Sequence, residues 1–450
     1  MRTCFGLACG AFLAFPALLH AQDTTDMEAE QRHRKKAPEG ITESDTGCGG
    51  IPGALAKIRL SGYVQTQWRV AEVTGAPYPV GDFSGGAFPA DAGNLFTIRR
   101  GRLKVTYENG LTQLVLQLDA TQSGVSTKDA YLSLTDPWLR SFSLRMGMFE
   151  RPFGYEVSHS SGLRESPERS RLFQTLFPGE RDLGAGVFFA PPDGPLSRFG
   201  AELGIFNGSG PSASDYDSYK DLIGRLGWRM PLEGTGMELG LGISGYFGKV
   251  RNSTKYLFRT ATLPGGLAGY TVDSTASNEG RGAVRTYMGV DAQFSLDIPS
   301  LGSAVLRGEY IAGKQPGTAS TSLSSSSQPA GGLYKRKFAG WYAVYVQSIG
   351  PDNQAVLKYD VYDPNTNAAS GDFTPSHTGG ATGLAAPDIT FRTLGLGFIH
   401  RWDENIKFVL YYEIIRNEEL SSLAGSASPL LPYASDLRDD VFTFRIQYRF

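Results

Sequence analysis

The 450-residue chain is poor in cysteine, in histidine and in net charge. Of its three cysteines, Cys4 and Cys9 fall in an N-terminal stretch that reads as removable. Cys48 is then alone, an intrachain disulfide is excluded, and Cys48 is assigned no role. The histidines beyond that stretch are His33, His159, His377 and His400. They form no metal-spaced cluster, and no glycine loop opens a helix to cradle phosphate, so neither a metal nor another cofactor is expected. Lys and Arg number 43 against 45 Asp and Glu. A nucleic-acid partner would call for a strongly basic surface, so none is expected. After the first 21 residues no apolar run approaches the roughly 18 residues of a membrane-spanning helix.

The start, "MRTCFGLACGAFLAFPALLHAQD", has one positive charge at Arg2, an apolar run from Phe5 to Leu19, and His20-Ala21 before a polar stretch. Residues 1–21 therefore read as a secretory signal peptide. An uncleaved anchor is the weaker reading, because the run is shorter than the roughly 20 residues a span needs. Residues 22–56 are polar and without period, and read as a flexible periplasmic leader. Positions 23–50 hold seven acids and four bases, which leaves 38 of each sign in 51–450. A field that selects ions must come from sorting charge in space.

Glycine (56), phenylalanine (26) and tyrosine (21) are abundant, and apolar residues alternate with polar ones. In "FTIRRGRLKVTYENGLTQLVLQLDA", Phe96 to Ala120, strand periodicity puts Leu103, Val105 and Tyr107 on one face and Arg100, Arg102 and Lys104 on the other. Asn109-Gly110 predicts a two-residue hairpin turn pairing Glu108 with Leu111, Arg102 with Gln117 and Arg100 with Asp119. In "DVFTFRIQYRF", Phe442, Phe444, Ile446, Tyr448 and Phe450 form one apolar face. Such an edge would aggregate in water but suits a lipid face.

Alternation marks sixteen candidate strands, near 57–71, 95–108, 111–121, 127–135, 140–149, 183–191, 198–207, 219–230, 235–250, 283–297, 302–313, 335–349, 353–363, 388–402, 403–418 and 438–450. Tight turns such as Asn109-Gly110 and 350–352 alternate with long loops such as 72–94 and 364–387, and only 122–126 breaks the rhythm. The pattern predicts an all-β fold over residues 57–450, a transmembrane antiparallel β-barrel of about 16 strands with short periplasmic turns and long external loops. Parity sends Lys57, Arg59, Tyr63, Gln65, Gln67 and Arg69 to the lumen, and Ile58, Leu60, Val64, Trp68 and Val70 to lipid. By the same rule Arg145, Arg225, Arg229, Arg285, Asp291, Arg307, Glu309, Lys358, Asp360, Lys407 and Glu413 are lumenal. Arg392 shares parity with Leu394, Leu396 and Phe398, which fits a place near the rim.

Sixteen strands enclose an aqueous channel unless something folds inward. The third long loop, "ERPFGYEVSHSSGLRESPERSRLFQTLFPGERDLGA", Glu150 to Ala185, is unlike the Ser/Thr/Gly-rich loops at 314–334 and 364–387. It combines Phe153, Tyr155, Leu172, Phe173, Leu176 and Phe177 with Arg151, Arg164, Arg169, Arg171 and Arg181. Its apolar residues need a surface, and the inner wall offers one.

Taken together, "FTIRRGRLKVTYENG", "MGMFERPFGYE", "PERSRLFQTLFPGERDLGA" and the terminal "YRF" resemble, in order and spacing, the phosphate-selective porin O and P family of bacterial outer membranes. The resemblance spans most of 57–450 and is densest between 95 and 190. It implies a homotrimeric sixteen-stranded channel in a Gram-negative outer membrane, with the third loop folded into the pore and small anionic solutes passing basic side chains. Arg99, Arg100 and Arg102 match the family's strand motif; Arg169, Arg171 and Arg181 fall in its constriction-loop motif. The expected anion pathway is Arg59, Arg100, Arg102, Lys104, Arg169, Arg171 and Arg181. A guanidinium fork matches the oxygens of phosphate or carboxylate. Rungs about 6.6 Å apart would pass an anion along several weak sites.

Other readings use the same residues. The loop's arginines are matched by Glu150, Glu156, Glu165, Glu168, Glu180 and Asp182, and in a non-selective diffusion porin they would simply pin the loop. A barrel-embedded hydrolase would need a nucleophile and base that meet in space, for which His159-Ser160-Ser161 offers only adjacency; no catalytic set is expected. A surface adhesin would use the external loops, which carry no binding motif.

Overall fold

The structure is a computed structural model that describes residues 56–211, 214–232 and 236–450. The expected signal peptide, 1–21, and the expected leader up to residue 55 lie outside the described residues. The chain rises and falls through β1 (Ile58–Ala71), β2 (Asn94–Asn109), β3 (Thr112–Thr121), β4 (Gly124–Thr135), β5 (Phe142–Glu150), β6 (Arg181–Phe189), β7 (Phe199–Phe206), β8 (Asp221–Leu232) and β9 (Met237–Arg251). After an external hairpin, β10 (Leu257–Thr262) and β11 (Ala268–Asp273), come β12 (Gly282–Ile298), β13 (Gly302–Gly317), β14 (Leu333–Ile349), β15 (Asn353–Asp363), β16 (Phe391–Arg401), β17 (Ile406–Asn417) and β18 (Val441–Arg449).

β9 pairs directly with β12, and β18 pairs with β1 from Tyr63↔Arg449 to Ala71↔Val441. Sixteen antiparallel strands therefore close on themselves and leave no free edge. The backbone of Phe450 seals the seam by exchanging two 3.0 Å hydrogen bonds with Gly62. The hairpin β10–β11 was not foreseen in the sequence. Its strands are six residues each, too short to show a period, and β10 leans on β14 in parallel from Leu257↔Leu333 to Arg259↔Lys335.

The faces fall as parity dictates. Gln65, Gln67 and Arg69 are buried inside while Leu60 and Val64 are exposed outside. An outward apolar belt follows, edged by aromatic pairs: Trp68 with Phe96 and Phe442 toward the loop rim, and Phe142 with Phe189 and Phe199 with Trp228 toward the turn rim. This is the lipid face of a membrane barrel with its interfacial girdles. Arg392, the second residue of β16, is exposed at the loop end of that face.

Two details of register differ from expectation. The hairpin turn is Gly110-Leu111, with Gly110 at φ +61°, so Asn109 pairs with Thr112, Lys104 with Gln117 and Arg102 with Asp119. Arg100 therefore does not face Asp119. The slip is two residues, which keeps every side chain on its predicted face and changes only its partner. Second, β2 bulges where Gln65 faces Arg100 but Thr66 faces Ile98, and β4 bulges where Gln117 faces Asp129 but Leu118 faces Thr127. The extra residues are Arg99 and Lys128. A bulge re-aims its side chain, and here each turns a cation inward against its parity.

Candidate functional site

The segment 151–180 between β5 and β6 lies inside the barrel and contains α1 (Arg171–Leu176). Its two halves are held by different physics. On one side Phe153, Leu172, Phe173, Leu176 and Phe177 are at most 1% exposed. They share one core with Tyr246 of β9, Tyr287 of β12, and Phe338 and Tyr342 of β14. Ring centroids are 5.8 Å apart for Phe177–Tyr287 and 6.0 Å for Phe173–Tyr342. Burying each such side chain stabilises docking by about 1.5–3 kcal/mol. The lumen is therefore apolar where the loop sits, not polar throughout. Glu309 of β13 fixes the loop's start, accepting the backbone N–H groups of Tyr155 (2.9 Å) and Glu156 (2.5 Å) and the Tyr342 hydroxyl (2.7 Å). Gly154, at φ +63°, is required there because a Cβ would run into the Glu309 carboxylate.

The other half is ionic. Glu168 receives three arginines: Arg99 (2.8 Å), Arg100 (2.7 Å) and Arg445 of β18 (3.1 Å). Glu165 meets Arg307 at 2.5 Å and Glu156 meets Lys358 at 2.8 Å. Tyr63 and Gln65 of β1 bind the hydroxyl and carbonyl of Ser161. Burial pushes the Glu168 carboxyl up, but Arg100, Arg99 and Arg445 outweigh it and hold it well below the usual carboxylate range.

The expected pathway residues divide into separate groups. Arg100 is engaged by Glu168. Arg169 bonds the carbonyls of Glu156 (2.7 Å) and Val157 (2.9 Å) and the Glu180 carboxylate. Arg181 is held by Glu150 (2.6 Å), Asp129 (3.0 Å) and Glu180 (3.3 Å). Arg102 touches Asp119 only at 3.5 Å. Lys104 and Arg59 are half-buried and make no ion pair among the described residues. Arg171 stands apart, stacked between Phe83 and Phe391. Arg445 alternates with Phe444 and Ile446 and so lies on the inner face opposite Gln67, but nothing in the sequence linked it to the loop. Arg99 entered only through the resemblance and Lys128 was missed, because unbroken parity with Arg100 and Asp129 points both outward and the bulges reverse that phase.

His159 faces the Tyr155 hydroxyl (3.2 Å), Arg307 (3.3 Å) and Glu165 (3.9 Å). The hydroxyl of Ser161 bonds Tyr63 at 2.6 Å and that of Ser160 accepts from Gly162 N–H. Neither serine meets the imidazole as a nucleophile would meet its base.

These groups make loop docking depend on acidity. Burial, with Arg307 adding, holds the His159 imidazole down to about 4, against an unfolded value near 6.5. Between those values a released loop binds a proton that the docked loop refuses, so docking weakens as pH falls from about 6.5 to 4. Glu165 and Glu168 are held below the usual range, Glu165 by Arg307 against its burial. Their support is complete above about pH 4.3 and is lost as pH falls through their depressed values, which has the same sign. Open-channel noise and conductance should therefore rise from pH 7 to pH 4, and His159→Gln should remove the part above pH 4. A flat profile, or one that falls, would contradict this arrangement.

No family model and no curated protein matches the chain. Solved structures do. An anion-selective porin from Comamonas acidovorans matches with a TM-score of 0.50 and 14% identity, over 87% of this chain and 99% of that one. OprB of Pseudomonas putida matches with a TM-score of 0.54 and 10% identity, over 89% and 96%. At such identities the likeness is one of fold: the closed sixteen-stranded barrel of porins in the Gram-negative outer membrane.

Proposed function

From a porin-type barrel of the Gram-negative outer membrane with a charged loop in its lumen, we propose a passive diffusion channel for small solutes that prefers anions, phosphate and other oxyanions among them. One observation carries the reading. The inner wall formed by β18, β1, β2, β3 and β4 bears Arg59, Arg69, Arg99, Arg100, Arg102, Lys104, Lys128 and Arg445 against Asp119, Asp129 and, at the turn end, Glu108. The loop returns Glu168 and Glu180 to this wall, yet Lys104 and Lys128 make no ion pair among the described residues. Lys128 sits in the fields of Glu180, Arg102, Arg181 and Asp119. Cations lining a low-dielectric cleft concentrate counter-ions in it. The sequence resemblance to phosphate-selective porins supports the oxyanion preference and a homotrimer, and one structural neighbour is itself described as anion-selective.

A second reading has its own observation. Arg100, Arg169 and Arg181 are each met by carboxylates, as they would be in a general diffusion porin whose arginines only hold the loop. Phosphate added to a KCl-bathed bilayer separates the two. Occupancy of the basic wall should reduce the chloride current, and Lys104→Gln should weaken the block. A chloride current indifferent to phosphate at equal concentration would overturn the oxyanion preference.

A further inference from the structure

Four of the five arginines that lie in the segment 151–180 or directly follow it are held by carboxylates or backbone carbonyls. Arg151 reaches the carbonyls of Glu180 and Pro178, and Arg164 those of Ser166 and Pro167. Arg169 and Arg181 are held as described above. Arg171 differs. Among the described residues its guanidinium makes no hydrogen bond or ion pair, and its Nε is buried without a partner. Its Cζ lies 4.2 Å from the ring centroid of Phe83 and 3.8 Å from that of Phe391. Two rings cover the guanidinium, and its donors, which lie in its plane, have no protein partner among the described residues. A clamped fork is prepared for a carboxylate that arrives in its plane.

Asp439, in the loop before β18, lines the same cavity. It is 5% exposed, and its Oδ1 is buried without a hydrogen-bond partner. Burial, with Asp436, Asp440 and Glu72 nearby, holds its carboxyl up to about 7 against the pull of Arg171. Each group feels the other's charge, yet they form no ion pair with one another. A buried polar atom without a partner costs about 1–3 kcal/mol, and here two of opposite sign look into one space.

That space measures about 210 Å³ and lies on the loop side of α1. Tyr78, Tyr362, Tyr433 and Leu437 supply apolar wall, and exposed Asp82 adds a second carboxylate. A cavity of roughly 150 Å³ accepts a benzene ring, so this one admits a molecule of somewhat larger size. It is met from outside before the ionic half of the loop.

We propose that this cavity is an external docking site for a small zwitterion, a free amino acid with an apolar side chain. Arg171 takes the carboxylate, Asp439 takes the ammonium, and the aromatic wall takes the side chain. The inference rests on the channel reading above but not on its anion preference.

The test uses the full chain in a planar bilayer with three probes of matched shape added on the loop side: L-leucine, 4-methylpentanoate and 3-methylbutylamine. Leucine should half-block the KCl current at a concentration about tenfold below either partial analogue, since each lost charged hydrogen bond costs at least that factor. Asp439→Asn should bring leucine level with 4-methylpentanoate. Arg171→Gln should weaken both carboxylates about tenfold and leave the amine unchanged. If Asp439→Asn does not insert, Arg171→Lys, which keeps the charge and loses the fork, should weaken both carboxylates by an intermediate factor. Equal block by the three probes, or a leucine advantage that survives Asp439→Asn, would overturn the site. The reversal potential in KCl without probe reads anion preference separately, so the two proposals fail independently.

Discussion

Glu168→Gln should loosen the third loop without opening the barrel. The carboxylate of Glu168 holds Arg99, Arg100 and Arg445 together. An uncharged amide leaves two buried guanidinium groups, those of Arg100 and Arg445, and a partly exposed third, that of Arg99, facing one another with no counter-charge. Removing one member of a buried ion network costs about 3–5 kcal/mol, most of it the penalty of the charges left behind. The strand ladder is untouched and the apolar half of the loop stays seated on Tyr246, Tyr287 and Tyr342, so the protein still folds. The ionic half swings away from β18, β1 and β2. Single-channel conductance in KCl should rise severalfold with added open-channel noise, and the thermal unfolding transition in detergent should fall. Glu180→Gln should do less, because Arg181 keeps Glu150 and Asp129 and Arg169 keeps the carbonyls of Glu156 and Val157. Conductance equal to that of the unaltered protein would show that Glu168 does not hold the loop.

Lys104→Glu combined with Lys128→Glu should turn an anion-preferring channel toward cations. Neither lysine has a carboxylate within ion-pair distance among the described residues, so both project net charge into the lumen. The exchange alters local charge by four units without disturbing a bonded network. The effect should be largest at low salt, where the screening length reaches about 30 Å at 0.01 M, and small at 1 M, where it is about 3 Å. The matched pair Lys104→Gln and Lys128→Gln should give an intermediate potential. A reversal potential unmoved by the double glutamate would remove these lysines from the ion path.

The barrel was legible in the sequence because a period of two survives small errors. The Asn109-Gly110 turn was misplaced, yet Arg100 and Arg102 stayed on the inner face because the slip was even. Unbroken alternation pointed Arg99 and Lys128 outward, whereas a bulge adds a residue and reverses the phase beyond it, as exposed Phe96 and Ile98 show against buried Arg100 and Arg102. The composition of the third loop announced that it would dock inward, but not how its charges would pair. Five arginines and six acids allow many matchings of similar local merit, and the choice is made by wall residues far away in sequence, such as Arg445 and Arg307. That Arg171, expected on the pathway, and Asp439 face one cavity without partners was equally hidden, because only a three-dimensional arrangement can show it.

The basic wall of β18 and β1–β4 is the centre of this account, and the reversal potential of the unaltered protein in a planar bilayer under about a tenfold KCl gradient tests it most directly. A potential displaced toward the chloride equilibrium value is the expected result. A potential at zero, or displaced toward the potassium value, would contradict it and leave a general diffusion channel whose arginines serve only to hold its loop.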